Sequence, residues 1–326
     1  DPAGQKILIS QLIANSELND EMRANFVMMV GYHLTEKEPL RALDLYMSAI
    51  SRLTISADRA RSLVGFTLEK LAGSNPQQAL DWVERNKTDH PELIDDLTKV
   101  GILSGIAKSD ASLAFSSLEK FGMSENPQAL ERIGGGASSA EERSAVLAAM
   151  RDYTNRAGSE EERQIAMKST LAGMAAQFSQ AGFDSASKWL ETEKLSPEEA
   201  AGLSGGIDAS LAKGDTGRWI DWMSGVLPVD QLGTKVDELV KFWTQEDYRS
   251  AGAWLENVPE GATRDAAVKA YAGTVASADP GVAAQWALTL PAGDERTNLM
   301  KNIYGEWKKQ DERAAGDFAR DNGIGE

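Results

Sequence analysis

Few side chains in this sequence have the types and spacing that catalysis or metal binding requires. The only histidines are His33 and His90, and neither has a partner histidine at the spacing of a metal site. Cysteine is absent, which excludes disulfides, thiolate metal ligands and a cysteine nucleophile. Because there are 50 acidic residues, close carboxylate pairs arise by chance and none stands out as an acid and a base. We therefore predict no catalytic residue, no bound metal and no enzyme activity.

One string has the letters of a catalytic motif. Gly202-Leu-Ser204-Gly-Gly206 matches the Gly-x-Ser-x-Gly nucleophile elbow, which requires a strand before the serine and a helix after it. Here Ser196-Pro-Glu-Glu is a capping box that predicts a helix running directly into the string. We interpret the string as a small-residue patch for close helix packing. No phosphate-binding loop, dinucleotide-binding glycine pattern or EF-hand string is present, so we predict no cofactor.

Large apolar side chains recur at a nearly constant interval in the second half of the chain. The first register has spacings of 33, 32, 32 and 32 residues and consists of Trp189, Trp222, Trp254, Trp286 and Phe318. A second register lies eleven residues before each member of the first and consists of Phe178, Leu211, Trp243, Val275 and Trp307. Self-similarity at such a period is typical of helical-hairpin repeats.

Turn-forming residues follow the same period. Asp247, Asp279 and Asp311 each lie seven residues before the aromatic of their unit. Asp279 is followed by proline, a pair that favours a helix start because Asp caps free N–H groups and proline fits the first turn. Each unit is therefore predicted to contain a helix A, an Asp-marked turn and a helix B that carries the aromatic. Arg264 and Arg296 recur at the start of helix A, and we interpret them as bridges to carboxylates or helix-end carbonyls.

The first half of the chain has a looser form of this unit. Leu71 and Trp82 are 11 residues apart and align with Leu34 and Leu45 at an interval of 37. Gly134-Gly135-Gly136 predicts a flexible break, since consecutive glycines favour the unfolded chain. We predict degenerate helical repeats over 1–133, an irregular or hinge segment with extra helices over 134–160, and regular Trp-containing repeats over 161–326, all of which could form one superhelix.

Charge and composition limit the classes of partner. The 326 residues include 34 basic and 50 acidic side chains, a net charge of −16. A surface of that sign repels phosphate backbones and anionic lipids, which disfavours nucleic acid and membrane surfaces. No run approaches the roughly 18 apolar residues of a transmembrane helix. Because cysteine is absent and the first residue, Asp1, is not methionine, we expect a removed leader and a periplasmic or secreted bacterial protein, with the cytoplasm as the alternative.

A two-helix unit with a small residue four positions before a helix-B aromatic resembles the tetratricopeptide and related α-solenoid repeats. Ser250 with Trp254 and Ala314 with Phe318 have that spacing. The tetratricopeptide pattern Trp-x-x-Leu-Gly-x-x-Tyr on helix A is absent, so the resemblance is to the superfamily and to no particular member. It implies an all-α, right-handed α-solenoid of roughly 8–9 two-helix repeats of about 32–37 residues, which binds other proteins.

The aromatic residues fall into two predicted classes. We assign a repeat-core role to the residues of the two registers and their counterpart in the first half, namely Trp82, Phe178, Trp189, Trp222, Trp243, Trp254, Trp286, Trp307 and Phe318. Trp219 belongs to neither register, and Tyr271 and Tyr304 lie on helix A. These three are the candidate binding residues, if their rings are exposed.

The repeat architecture favours a non-catalytic scaffold that binds a protein or peptide on its surface. A carbohydrate-binding or structural cell-envelope protein is the alternative, and it requires exposed aromatics such as Trp219 to stack on sugars. A helical-toroid enzyme that acts on polysaccharides is less favoured, because convergent histidine, tyrosine or carboxylate groups are not evident.

Overall fold

A computed structural model describes residues 17–324 together with Gln11 and Asn15. Within these residues the chain is helical, with short connecting loops and no β-strand. The all-α prediction is therefore confirmed for this part of the chain. The chain divides into two compact units, Asp1–Gln177 and Phe178–Glu326.

The helices are numbered in chain order. In the first unit they are α1 (Asp20–Lys37), α2 (Pro39–Ile50), α3 (Ala57–Ser74), α4 (Pro76–Asn86), α5 (Asp96–Ser109), α6 (Ala111–Lys120), α7 (Pro127–Gly135), α8 (Ala140–Thr154) and α9 (Glu160–Ala181), which continues past the unit boundary. The second unit contains α10 (Asp184–Thr192), α11 (Pro197–Gly205), α12 (Ala209–Ala212), α13 (Thr216–Val226), α14 (Val229–Leu255), α15 (Ala262–Val275), α16 (Pro280–Leu288), α17 (Asp294–Gln310) and α18 (Glu312–Asp321). Two short 3₁₀ turns lie at Pro91–Leu93 and Lys213–Asp215.

A single residue joins the two helices of several hairpins, and we call it the junction residue. Asn75, Asp110 and Asp311 each have an extended backbone between two helices, with φ of −149°, −150° and −148°. The junction N–H donates to the carbonyl four residues earlier, at 2.7–2.8 Å, and closes helix A. The junction side chain accepts a hydrogen bond from the N–H three residues later, at 2.9–3.2 Å, and thereby caps the first turn of helix B. One residue therefore caps two helices.

The predicted Asp-marked turns coincide with these junctions. Asp279 has the same geometry after a short turn and accepts the N–H of Val282 at 3.0 Å. Asp247 lies inside the continuous helix α14, but its backbone is extended there and its side chain caps the N–H of Ser250 at 3.1 Å. Glu38 joins α1 to α2 with a similar backbone but without a side-chain cap.

Aromatic side chains of the two apolar registers meet across three of the hairpins. The rings of Phe178 and Trp189 are 5.7 Å apart, and those of Trp243 and Trp254 are also 5.7 Å apart. Trp307 and Phe318 repeat the contact at 5.3 Å. The interval of eleven residues arises because one ring lies about one turn before the junction and the other about two turns after it. Such pairs are worth about 0.5–1.5 kcal/mol beyond the apolar area they bury.

Gly134–Gly136 form the C-terminal end of helix α7 and are not the flexible break that their composition predicts. Gly134 is in the last turn of α7, where a Cβ would overlap the carbonyl oxygen of Thr170 on α9. Gly173 on α9 has the reciprocal relation to the carbonyl oxygen of Glu131. The glycines are needed because the two helix backbones touch. The predicted irregular segment 134–160 contains the 15-residue helix α8, and the compact units divide later, after Gln177.

Removing a junction side chain tests its capping role. We expect Asp279→Ala to lower the free energy of unfolding by about 1 kcal/mol, because the first N–H groups of α16 lose their acceptor. Asp279→Asn keeps a side-chain oxygen and should cost only a few tenths of a kcal/mol. Urea unfolding followed by circular dichroism measures both, and equal losses for the two variants would contradict the capping role.

Two glycine-to-alanine changes should have opposite effects. Gly134→Ala forces α7 away from α9 and should destabilise the protein by about 1–3 kcal/mol. Gly316→Ala, in α18 where a Cβ meets open space, should stabilise it by roughly 0.5–1 kcal/mol. Thermal unfolding distinguishes them, and a neutral Gly134→Ala would show that the two backbones do not touch.

Candidate functional site

Exposed large apolar side chains are concentrated on the first helices of the first unit. Within residues 20–109 they are Met22, Phe26, Met29, Tyr32, Phe66 and Leu97. They lie on α1, α3 and α5, the helices that pack side by side in this unit. Isolated exposed apolar residues are ordinary, but a contiguous group marks an interaction surface.

A groove of about 560 Å³ runs between α3, α5 and α7. Gly65 and Gly101 line it without side chains, and the rings and methyl groups of Phe66 and Leu97 form its apolar part. Leu97 is 70% exposed and Phe66 is 40% exposed. We refer to this feature as the α3–α5 groove. A partner side chain inserted there would remove both residues from water, a gain of about 25 cal/mol per Å² of apolar area.

The α3–α5 groove has a rim of both charges. Arg61 is paired with Asp58 and lies 3.5 Å from a carboxylate oxygen of Asp95. On the opposite side a guanidinium nitrogen of Arg132 is 3.6 Å from a carboxylate oxygen of Glu69. The Arg side chains are 38% and 53% exposed, and pairs of this kind contribute little to stability. Their donors and acceptors can therefore re-pair with the polar groups of a bound chain.

The apolar surface continues from the groove onto α1. The ring of Tyr32 lies 6.3 Å from that of Phe66, and the Lys70 ammonium lies 5.5 Å from the Phe66 ring centre. Lys70 is also 3.0 Å from a carboxylate oxygen of Glu36 on α1. Cation–π and ion-pair contacts of this type hold an exposed ring in a defined orientation. Tyr32, Phe66 and Leu97 thus present apolar groups along three neighbouring helices.

Tight packing beneath the groove fixes the spacing of these helices. The hydroxyls of Thr35 and Thr67 share a buried hydrogen bond of 2.9 Å between α1 and α3. Between α3 and α5, a Cβ on Gly105 would overlap the backbone of Glu69 and crowd Ala72 at 2.8 Å. A surface built on packed helices of this kind is pre-organised, which reduces the entropy lost when a partner binds.

The predicted binding residues are mostly interior. Trp219 has no exposed surface, and its ring contacts Phe183 at 4.7 Å, Trp222 at 6.1 Å and Phe178 at 6.4 Å. Tyr271 is 2% exposed, and burial raises the pKa of its phenol. Neither ring can stack on a ligand in this structure, so the condition on which their candidate binding role depended, an exposed ring, is not met at these two positions. The reason is that each packs in the interior of its own helical layer.

Tyr304 is half-buried on α17, with the Lys308 ammonium 5.9 Å from its ring centre. It lies far along the chain from the α3–α5 groove, and the structure brings it together with neither Trp219 nor Tyr271. The three candidate binding residues therefore do not form one site.

The predicted repeat-core aromatics are either buried or half-buried. The buried ones are Trp82, Phe178, Trp189, Trp243 and Phe318. The half-buried ones are Trp222, Trp254, Trp286 and Trp307. The guanidinium of Arg264 lies 5.7 Å from the Trp286 ring centre, and that of Arg296 donates to the carbonyl of Leu290 at 3.3 Å.

The residues considered for catalysis lie on separate structural elements. His33 is exposed on α1, and Nδ1 of His90 lies 3.3 Å from a carboxylate oxygen of Glu92. Ser204 is inside α11 and 1% exposed, so the Gly202–Gly206 string has no strand before it and does not present the hydroxyl. In the part of the chain that the structure describes, no three metal-ligating side chains cluster. None of its helices has the length and apolar character to cross a bilayer.

The sequence interpretation missed Phe66 and Leu97. Both lie on helices with a mixed pattern of apolar residues, and exposure at these positions depends on which faces the neighbouring helices cover. Phe66 lies nine residues before Asn75, on the side of α3 that carries its charged residues, so no apolar pattern in the sequence marks it.

Burial of Trp219 has a direct consequence for stability. We expect Trp219→Ala to lower the free energy of unfolding by about 3–5 kcal/mol, because it leaves a large cavity among aromatic rings. The half-buried neighbour is the control, and Trp222→Ala should cost less. Urea unfolding measures both. A folded Trp219→Ala protein of unchanged stability would contradict the buried position.

A scan against models of protein families, a search of curated proteins and a search of solved structures each gave no match to this chain. The resemblance to tetratricopeptide-like repeats therefore stays a prediction.

Proposed function

We propose that this chain is a non-catalytic scaffold for protein–protein interaction, which binds a protein or peptide at the α3–α5 groove. The observation that carries the proposal is the pair of exposed apolar walls, Phe66 and Leu97, between two rims of loosely paired charges. Apolar anchors surrounded by polar groups are the usual composition of a protein interface. An extended or helical segment with one or two apolar side chains fits these dimensions.

We further propose that the hairpins stack as a right-handed α-solenoid within each unit, with roughly 8–9 two-helix repeats in the whole chain. In support, α1 packs on α3, α3 on α5 and α5 on α7, and in the second unit α14 packs on α15 and α15 on α17. A lone hairpin cannot bury its apolar stripe, so each is completed by its neighbours. Such stacking places one helix of each hairpin on a common surface, where the groove lies.

The carbohydrate-binding alternative loses its main support. The residues proposed to stack on sugars are not exposed, since Trp219 and Tyr271 are buried and Tyr304 is half-buried. The exposed rings of Phe26, Tyr32 and Phe66 instead belong to the apolar surface of α1 and α3. For localisation we propose the bacterial periplasm or secretion, on the basis of the cysteine-free composition.

The scaffold function is tested with charge substitutions in the groove. Tagged wild-type protein and the Leu97→Asp variant are used to capture partners from the source cell, followed by mass spectrometry. We expect a partner that wild type retains to be reduced at least about tenfold by Leu97→Asp, since a buried carboxylate without a partner is strongly unfavourable in an interface.

Val229→Asp is the matched control, because Val229 is 65% exposed on α14 and is not among the residues that line the groove. It should capture the same partner as wild type. Circular dichroism spectra of both variants verify folding. A partner captured equally by wild type and both variants would show that the α3–α5 groove is not the binding site.

A further inference from the structure

The face of α1 that lies away from α3 differs from its counterparts in later hairpins. Helix α3 contacts α1 through Thr67, which meets Thr35, and through Lys70, which meets Glu36. We call this side of a helix, directed at the preceding hairpin, its leading face. The opposite side, directed at the following hairpin, is the trailing face. The junction residues allow the same face to be identified on each hairpin.

The position twelve residues before the junction lies on the leading face. In later hairpins it is buried: Leu63, Thr98, Lys235, Ala267 and Leu299 are at most 9% exposed. In α1 the same position is Phe26, which is 41% exposed. The same contrast occurs at the position eight residues before the junction. In α1 this residue is Val30, which is half-buried. In the later hairpins it is buried, as Thr67, Ile102, Leu239, Tyr271 and Ile303.

The leading face of α1 is therefore apolar and uncovered among the residues that the structure describes. Met22, Phe26 and Met29 follow one another at intervals of four and three residues, so they form one stripe along the helix. Met22 is 54% exposed and Met29 is 62% exposed. Methionine side chains adapt to the shape of a partner. Because the same face is covered by a helix in the later hairpins, its geometry suits a helix.

The helices that cover other leading faces show what kind of helix fits. Gly65 and Gly73, on the trailing face of α3, lie against Thr98 and Gly105 of α5, with a Cβ at Gly65 only 3.2 Å from the Thr98 hydroxyl. Gly273 on α15 has the same relation to Leu299 on α17, at 3.7 Å. Small residues at these positions let a bulky leading face approach closely.

A second copy of this chain, stacked end to end, would present the trailing face of α17 to α1, and that face is not a row of small residues. Contacts of Lys269 with Glu295, and of Ser277 with Gln310, place the trailing face ten, six and two residues before the junction. On α17 these positions are Lys301, Gly305 and Lys309, all exposed. In the register of the Gly65–Thr98 contact Lys301 would face Phe26, and in that of the Ser277–Gln310 contact Lys309 would face the exposed Lys37. One lysine would therefore lose hydration without gaining a carboxylate, and the other would meet a like charge.

We propose that the stripe Met22–Phe26–Met29 docks an amphipathic helix of a partner protein, one that presents Gly or Ala at intervals of four or eight residues. The partner's helix packs along α1 in the same way that α1 packs along α3. This site is separate from the α3–α5 groove and does not depend on Leu97, so each can fail without the other.

The test uses the full chain and a fluorescent peptide with the sequence of α3, residues 57–74, whose Gly65 and Gly73 form a stripe of the required kind. Fluorescence anisotropy should show saturable binding to wild type. We expect Phe26→Asp to weaken it at least about tenfold, the usual effect of removing an apolar anchor. Val229→Asp, at an exposed position outside both proposed sites, should bind as wild type does. A peptide with Gly65→Leu and Gly73→Leu should not bind.

Four results would overturn the proposal. One is no binding to wild type at 1 mM peptide (about −4 kcal/mol). Another is binding to wild type that Phe26→Asp leaves unchanged. The third is a dimer of wild type, seen by sedimentation and lost in Phe26→Asp, which would assign the face to a second copy. If a variant without residues 1–16 binds the peptide and wild type does not, the chain's own N-terminal segment is the occupant, and the proposal again fails. Circular dichroism confirms that each variant is folded.

Discussion

The hydrogen bonds of the junction residue set the geometry of the hairpins. At Asn75, Asp110 and Asp311 one residue donates its N–H to the helix before it and accepts an N–H from the helix after it through its side chain. Because no further residues separate the helices, the faces that they turn toward each other are fixed in register. The aromatic pairs follow from this register, since a ring four residues before the junction meets a ring seven residues after it. Backbone groups that would be unsatisfied at two helix ends are paired locally, which leaves the outer faces free to pack on neighbouring hairpins.

The same register determines where function can reside. A face that packs on a neighbouring helix needs glycine or small side chains where backbones touch, as at Gly105 and Gly134. A face that remains in solvent is free to carry other side chains, and on α1, α3 and α5 it carries large apolar ones. Lys235 shows the contrast: at the position of Phe26 it is buried, and its ammonium donates to the carbonyl of Ile207 at 2.7 Å and lies 3.1 Å from the Glu238 carboxylate. A charged group is thus buried in the stack only together with its partners, whereas the apolar side chains of Phe66 and Leu97 remain exposed in the α3–α5 groove.

Local chemistry made part of this structure predictable. Asp279 with Pro280 indicates a helix start from two residues, and the Trp registers indicate the period without any knowledge of the fold. Other features depend on residues far apart in sequence. Gly134–Gly136 indicates flexibility by composition, but its role is set by Thr170, which lies on another helix. Trp219 lies outside the registers, yet it is buried because Phe178 and Phe183 close around it. The candidate groove was not predictable, since exposure of Phe66 and Leu97 depends on which faces of α3 and α5 their neighbours cover.

The most direct test of the scaffold function is site-specific photocrosslinking in the source cell. A photoreactive phenylalanine analogue at position 97, in the α3–α5 groove, reports what lies within a few ångströms of that side chain. The same analogue at position 229 on α14 is the matched control, because Val229 is exposed and does not line the α3–α5 groove. Binding at the groove gives a defined crosslinked protein at position 97 and none at position 229. Crosslinks at position 229 alone, or at neither position while a partner is still captured, would contradict it.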